Sequence, residues 1–441
     1  MKKRKNKISK GQKIYNRAKK VIPGGNMLLS KNPELFLPNG WPTYFERTNG
    51  CEVWDKDNKK YFDLSLMGVG TNILGYSNKK VDGAVSRVIK NGNMSTLNCY
   101  EEVFLAEKLI ELHPWAKMVK FARSGGEANA IAIRIARATS GKDNVAFCGY
   151  HGWHDWYLAT NINGNKNLNA HLLKNLLVNG VPKNLAGSIF PFKYNDYSEL
   201  EKIVNEKKIG VICMEVMRNE PPKNSFLQKI RKLADKKGIV LIFDECTSGF
   251  RKNYGGLHKL YGVNPDIALF GKALGNGYAI TAIIGRKEVM ESAQTSFISS
   301  TFWTERIGPA AALATLKEMK RIKSWKTIDN NGNKIIKGWR ELEKKYHLKI
   351  DIFGLPSLCS FKFLSKNNQK YKTYITQEML KKGFLASNLI YSSVAHTPKI
   401  IDKYFYEIDK IFKIIQKCED GYDIDKLLKF PVSSTGFQRI N

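Results

Sequence analysis

An aspartate and a lysine, each closing a short apolar run, are the residues of this chain best suited to chemistry. Ile239-Val240-Leu241-Ile242-Phe243 leads into Asp244-Glu245, and Ile267-Ala268-Leu269-Phe270 leads into Gly271-Lys272-Ala273-Leu274-Gly275. Both runs have strand character, so the acid and the amine can emerge from the same edge of one sheet. An aldehyde cofactor uses that pairing: pyridoxal phosphate needs a lysine for its resting Schiff base and an anion that keeps its pyridine nitrogen protonated. Lys272 and Asp244 are the candidates. Taken singly, a lysine is ordinarily a solvated surface group and a strand-end aspartate a turn or helix cap, so the reading rests on what accompanies them.

Two further stretches accompany them. Ser124-Gly125-Gly126-Glu127-Ala128 precedes a segment whose apolar positions 128, 131, 132 and 135 fall on one helical face. Glycines let backbone approach an anion, and a helix N-terminus offers free N–H groups, so a phosphate can dock there; alone, such a pair is more often a plain tight turn. Gly149-Tyr150-His151-Gly152-Trp153-His154 follows the apolar Val145–Cys148. Tyr150 or His151 offers a flat ring for offset stacking on a pyridine, the plainer alternative being local core.

The elements that position these residues alternate. Helical segments from about residue 80 are interleaved with apolar strands at Val145–Cys148, Ser188–Pro191, Gly210–Val216, Ile239–Phe243, Ile267–Phe270 and Thr281–Gly285. That alternation predicts an α/β fold with a mostly parallel central sheet covered by helices. Ahead of it, a helix over residues 8–22 stops at Pro23-Gly24-Gly25, and Thr43–Glu46, Glu52–Trp54 and Tyr61–Leu64 read as short antiparallel strands. Past residue 330, lysine-rich amphipathic helices and a few strands, Leu358–Phe363 among them, predict a smaller α+β domain, with a tail after Gly421. The expected division is 1–75 as N-terminal helix and strands packing with the small domain, 76–330 as the large cofactor-binding domain, and 331–441 as the small domain.

Composition narrows the function class. The 441 residues carry a formal charge of +32, yet the lysines are spread through the chain and only residues 2–7 form a dense basic block. A nucleic-acid binder would gather them into an arm or groove-reading motif, so that class is disfavoured and a solvated lysine-rich surface expected. Seven scattered cysteines, mostly within apolar runs, read as reduced buried thiols. His151 and His154 lack further ligands at metal-binding spacing, so no metal site is expected. Neither a membrane-spanning run nor the apolar core of a signal peptide is present, which predicts a cytoplasmic protein.

With these motifs in order and spacing, the chain resembles the class III pyridoxal-phosphate aminotransferases, nearest the glutamate-1-semialdehyde 2,1-aminomutase branch. The resemblance rests on Ser-Gly-Gly-Glu-Ala, Tyr-His-Gly, Phe-Asp-Glu-Cys-Thr-Ser-Gly-Phe-Arg and Phe-Gly-Lys-Ala-Leu-Gly-Asn-Gly, and runs from Pro23-Gly24-Gly25 to Ala395-His396-Thr397. It implies the fold-type I architecture and a homodimer with active sites shared between subunits. It further implies Lys272 as Schiff-base lysine and proton shuttle, Asp244 as pyridinium partner, and Ser124, Gly125 and Gly126 as phosphate loop. Tyr150 would stack on the ring beside His151, Glu215 would lie near the ring hydroxyl, and Thr301 would reach the phosphate of the other subunit.

The departures from that pattern concern substrate more than cofactor. Gly126 stands where the aminomutase usually has a hydroxyl residue, leaving one fewer side-chain hydrogen bond for the phosphate. The aminomutase's arginine falls on Lys31 or Ser30, its late glutamate near Asn388, and its small serine on Trp156. Losing a bidentate carboxylate clamp while adding bulk favours an aminotransferase that passes an amino group from an amino-acid donor to a carbonyl acceptor by a ping-pong route. Intramolecular aminomutase transfer is the alternative, a decarboxylase or racemase a further one, and a non-catalytic basic nucleic-acid binder the reading from another class. Arg218, Arg251 and Lys31 are the candidates for a donor carboxylate.

Overall fold

The computed structural model describes residues 8–172, 174–217 and 219–435. The described residues divide into two compact units, one made of Lys79–Lys326 and the other of residues 8–78 together with 327–435.

The unit Lys79–Lys326 is built on a seven-stranded sheet. Its spatial order is Met118–Ala122, Thr281–Gly285, Ile267–Phe270, Val240–Asp244, Ile209–Glu215, Asn144–Cys148, Ile189–Pro191. Pairing is parallel from Ile267–Phe270 across to Ile189–Pro191, and Thr281–Gly285 runs antiparallel to both neighbours. The four strands Ile209–Glu215, Val240–Asp244, Ile267–Phe270 and Thr281–Gly285 are buried at every residue, which is why they read as continuous apolar runs without alternation. Register places Glu215 beside Asp244, and Asp244 beside Leu269, so the acid ends lie together at the edge where the Lys272 turn begins. Met118–Ala122 is an additional strand, unexpected because Lys120 interrupts a five-residue stretch that is only partly buried.

The helix Gly125–Ser140 packs under this edge. Its start is fixed by a capping box in which Glu127 N–H donates to Ser124 Oγ while the Glu127 carboxylate accepts from Ser124 N–H at 2.8 Å. Gly141, in the left-handed region, ends it.

The other unit holds two small sheets. Phe45–Asn49, Glu52–Asp55 and Lys60–Leu64 form an antiparallel meander, and Phe384–Ala386 joins the last of these in parallel. Ile350–Phe353, Leu358–Phe363 and Leu389–Tyr391 form an antiparallel three-stranded sheet. Trp339, Phe361, Phe363, Tyr371, Phe384, Tyr404 and Phe412 fill the core of this unit. Two expectations are corrected here. The first strand begins at Phe45 because Thr43 has φ +59°, which no strand accommodates. Of the segment after Gly421, residues 422–435 are not a loose tail: Ser433 is buried, and Gln369 Nε2 donates to its carbonyl at 2.7 Å, while the remainder lies outside the described residues.

Among the described residues no helix is long and apolar enough to cross a membrane, and no cluster of three metal-ligating side chains occurs. All seven cysteines are free and buried.

Candidate active site

Asp244 ends its strand 5% exposed, and its carboxylate is fully engaged by donors. Oδ2 lies 2.9 Å from His151 Nδ1 and accepts from Asn129 Nδ2 at 2.8 Å, while Oδ1 accepts from Cys246 N–H at 3.0 Å. Burial alone would raise the carboxyl pKa, but the hydrogen bond and charge of His151, with the Asn129 and Cys246 donors, hold it down at about 2. Asp244 is therefore a buried, permanently ionised anion at the sheet edge.

Lys272 follows the neighbouring strand in a backbone conformation few residues adopt, φ +42°. A non-glycine residue held there is strained, and such strain is characteristic of positions fixed for function. Its Nζ donates to Thr247 Oγ1 at 2.6 Å. Thr247 is three residues beyond Asp244, so the Asp244–Thr247 turn orients both charged groups. Cys246 lies in that turn between the two glycine approaches: its Sγ would be 3.7 Å from a Cβ on Gly125 and 3.5 Å from one on Gly271. Burial, followed by the Asp244 charge, pushes the Cys246 thiol well up, so it fills space without acting as a nucleophile.

The helix start at Gly125-Gly126 meets the Gly149–His154 loop. A Cβ on Gly152, whose φ is +104°, would come within 2.7 Å of Gly126 Cα, so only glycine allows the two backbones to touch. Tyr150 is partly exposed, its ring edge-on to Tyr157, and its N–H donates to Glu215 Oε2 at 3.2 Å. Glu215 is itself buried. His151 is 1% exposed and is occupied with Asp244 and the Cys148 carbonyl.

Thr301 is exposed at the start of the turn Thr301–Thr304. That turn is tied to the helix start: Trp303 Nε1 donates to Glu127 Oε1 at 3.4 Å, and Arg123 donates to the carbonyls of Trp303 and Glu305. Of the substrate-side positions, Trp156 is 8% exposed, with its indole stacked over His151 at 6.3 Å and 27°. Arg251 is fully buried, its Nε donating to the Thr247 carbonyl at 2.5 Å. Ser30, Lys31 and Asn388 belong to the other unit, and Arg218 lies outside the described residues.

Four residues around the site were given no role by the sequence. Asn129 lies one helical turn beyond Gly125, on the buried face, and its spacing was the available signal. Thr247 had a weaker one, its place three residues after the acid. Glu245 and His258 form a buried pair behind the site: the carboxylate accepts from His258 Nδ1, from the N–H groups of Leu257 and His258 and from Ser248 Oγ. Nothing local in the sequence links residues 245 and 258.

Comparison with known proteins gives this geometry its context. The aminotransferase class-III family profile matches residues 39–418. A 3-aminobutyryl-CoA aminotransferase of Cloacimonas acidaminovorans is 33% identical over 381 residues, 84% of this chain and 87% of that protein. A glutamate-1-semialdehyde 2,1-aminomutase of Methanocaldococcus jannaschii is 29% identical over 433 residues, 92% of this chain and 99% of its own. Among solved structures, the FumI protein of Sphingopyxis sp. MTA144 in a PLP form superposes with a TM-score of 0.83 at 23% identity, covering 95% of this chain and 99% of that one. An omega-transaminase from Sphaerobacter thermophilus gives 0.81 at 22% identity, covering 92% and 97%. Both likenesses establish the fold-type I architecture.

Pyridoxal phosphate fits the residues present. An ionised aspartate, a strained lysine turn and a helix start stripped of side chains lie at one sheet edge, matching the cofactor's ring nitrogen, aldehyde and phosphate. By its match over most of its length and its likeness to both enzymes, this chain belongs to the class III aminotransferases, which carry out pyridoxal-phosphate-dependent amino transfer.

Proposed function

We propose that the protein is an aminotransferase that moves an amino group from an amino-acid donor to an aldehyde or ketone acceptor in two half-reactions. The observation that carries this reading is Trp156, an almost buried indole where the aminomutase pattern has a small serine. Lys31 or Ser30 and Asn388 replace that pattern's arginine and glutamate, so the bidentate hold on a carboxylate is lost in the same chain. The 33% identity to a 3-aminobutyryl-CoA aminotransferase supports the same choice. Intramolecular aminomutase transfer is the second reading, favoured by the nearly complete coverage of the Methanocaldococcus enzyme.

Bound pyridoxal phosphate supplies an electron sink that acidifies the C–H bond beside the substrate nitrogen. Asp244, ionised and fixed by three donors, would hold the proton on the ring nitrogen. Lys272 would anchor the cofactor through its Nζ, and that nitrogen, once freed, would be the base that takes the proton from the substrate carbon, with Thr247 Oγ1 positioning it. Ser124, Gly125 and Gly126 would bind the phosphate, Tyr150 with His151 would hold the ring, and Glu215 would serve the ring hydroxyl. Thr301 reaches the phosphate of the partner subunit in a homodimer with shared active sites. The seven buried thiols suit a reducing, cytoplasmic setting, and the positive field of the chain attracts anionic substrates.

The test is the visible spectrum of the cofactor-loaded protein with L-glutamate. Loss of the visible band together with release of 2-oxoglutarate supports the aminotransferase and its donor. A band unchanged by glutamate and by other amino donors, yet altered by glutamate semialdehyde, overturns it in favour of the aminomutase.

A further inference from the structure

The missing hydroxyl at position 126 has a physical replacement. A Cβ built on Gly126 would lie 2.9 Å from both Nδ1 and Cε1 of His154, so the imidazole occupies the space where a longer residue's side chain would begin. The ring is held there. Trp153 packs on it at 4.6 Å between centroids, and the loop is pinned by the Gly152–Gly126 approach. His154 Nδ1 is enclosed and has no hydrogen-bond partner among the described residues. An enclosed, unpaired N–H is costly, about 1–3 kcal/mol, so the neutral ring carries its proton on the other nitrogen, Nε2. Burial favours that neutral ring, lowering the pKa against the pull of Glu127 and Asp155. The result is a neutral ring whose Nδ1–Cε1 edge abuts Gly126 in the first turn of the helix Gly125–Ser140, with its one N–H donor on the adjoining atom Nε2.

We propose that His154 is a phosphate-binding residue of the cofactor site, its Nε2–H supplying the hydrogen bond that a hydroxyl at position 126 supplies elsewhere in the family. This rests on reading Gly125-Gly126 as the phosphate loop. A hydroxyl at 126 and an imidazole at 154 are then alternative, mutually exclusive solutions, because the first needs the space the second fills.

The experiment is removal of cofactor from the holoenzyme, followed by titration with pyridoxal phosphate and, separately, with pyridoxal, which lacks the phosphate. The wild type is expected to prefer the phosphorylated form. His154→Ala should bind pyridoxal phosphate about tenfold more weakly, the loss of one hydrogen bond to a charged group, with pyridoxal unaffected. Gly126→Ser alone should weaken phosphate-dependent binding, because the new side chain and the His154 ring contend for one space and neither is seated. The double variant His154→Ala/Gly126→Ser should recover it. If His154→Ala keeps the wild-type preference, or loses both ligands equally, the proposal is overturned while the loop reading stands. Should the wild type itself show no preference for the phosphate, the loop reading fails and takes the proposal with it.

Discussion

His151 presents its ring to two acceptors at once, Asp244 Oδ2 at 2.9 Å from Nδ1 and the Cys148 carbonyl at 3.1 Å from Nε2. The Asp244 carboxyl is ionised and the carbonyl has no proton to give, so both ring nitrogens must be donors and the ring is an imidazolium. Burial opposes that charge, but the ionised Asp244 hydrogen-bonded to the ring holds the His151 pKa well above its ordinary value. Asp244 is thus half of a buried ion pair, kept ionised and kept from rotating.

The pair makes stability depend on pH in two directions. Asp244 titrates at about 2 when folded, below its unfolded value, so its contribution is complete above pH about 4 and disappears as pH falls toward 2. His151 is raised, so its contribution is complete below pH about 6.5 and is lost as pH climbs through the folded value. In His151→Leu the carboxylate stays buried without its cation, costing about 3–5 kcal/mol. Urea midpoints measured from pH 3 to 9 (chosen at about one-unit steps) should fall in the variant, and its acid limb should move to higher pH.

Lys272→Ala should abolish the visible band of lysine-linked cofactor and the mass gained on borohydride reduction. Activity should drop at least about 100-fold, the lower range for a positioned proton carrier. Thr247→Val separates anchoring from positioning. Valine matches the shape but cannot accept from Nζ, so the band should persist while kcat falls about tenfold.

Behind the site, Glu245 accepts four hydrogen bonds with no exposed surface. Glu245→Ala would strand the Leu257 and His258 N–H groups and the His258 ring, itself a partner of Trp115 Nε1 at 3.1 Å. An expected loss of about 3–5 kcal/mol follows from breaking such a buried network. It should show in the unfolding midpoint of the apoprotein, well before any effect on substrate choice.

The placement of the candidate site residues was legible wherever they follow a strand. Asp244 and Lys272 end apolar runs buried at every position, and burial on both faces writes itself as an unbroken apolar stretch. The strand Met118–Ala122 was invisible because partial exposure lets Lys120 sit inside it. The start at Phe45 and the anchoring of Ser433 depend on a left-handed Thr43 and on bonds spanning 60 and more residues, neither of which leaves a local pattern. For the same reason the partners of these residues were not readable: nothing near His151 announces that its ring belongs to Asp244, 93 residues on.

Trp156 turns the functional reading into a question of size. Its indole is stacked on His151, and its enclosed Nε1 has no hydrogen-bond partner among the described residues, so it is held by packing alone. Trp156→Ser removes that volume and should lower stability by about 3–5 kcal/mol, as other large-to-small core changes do. If the indole sets the width of the acceptor space, the variant should shift the ratio of kcat/KM for a branched over an unbranched carbonyl acceptor by about tenfold. A stability loss with an unchanged ratio would make Trp156 a support for His151 only. The choice between aminotransferase and aminomutase would then have to rest on Lys31 and Asn388, whose replacement by arginine and glutamate should restore handling of glutamate semialdehyde if the missing clamp is what separates the two reactions.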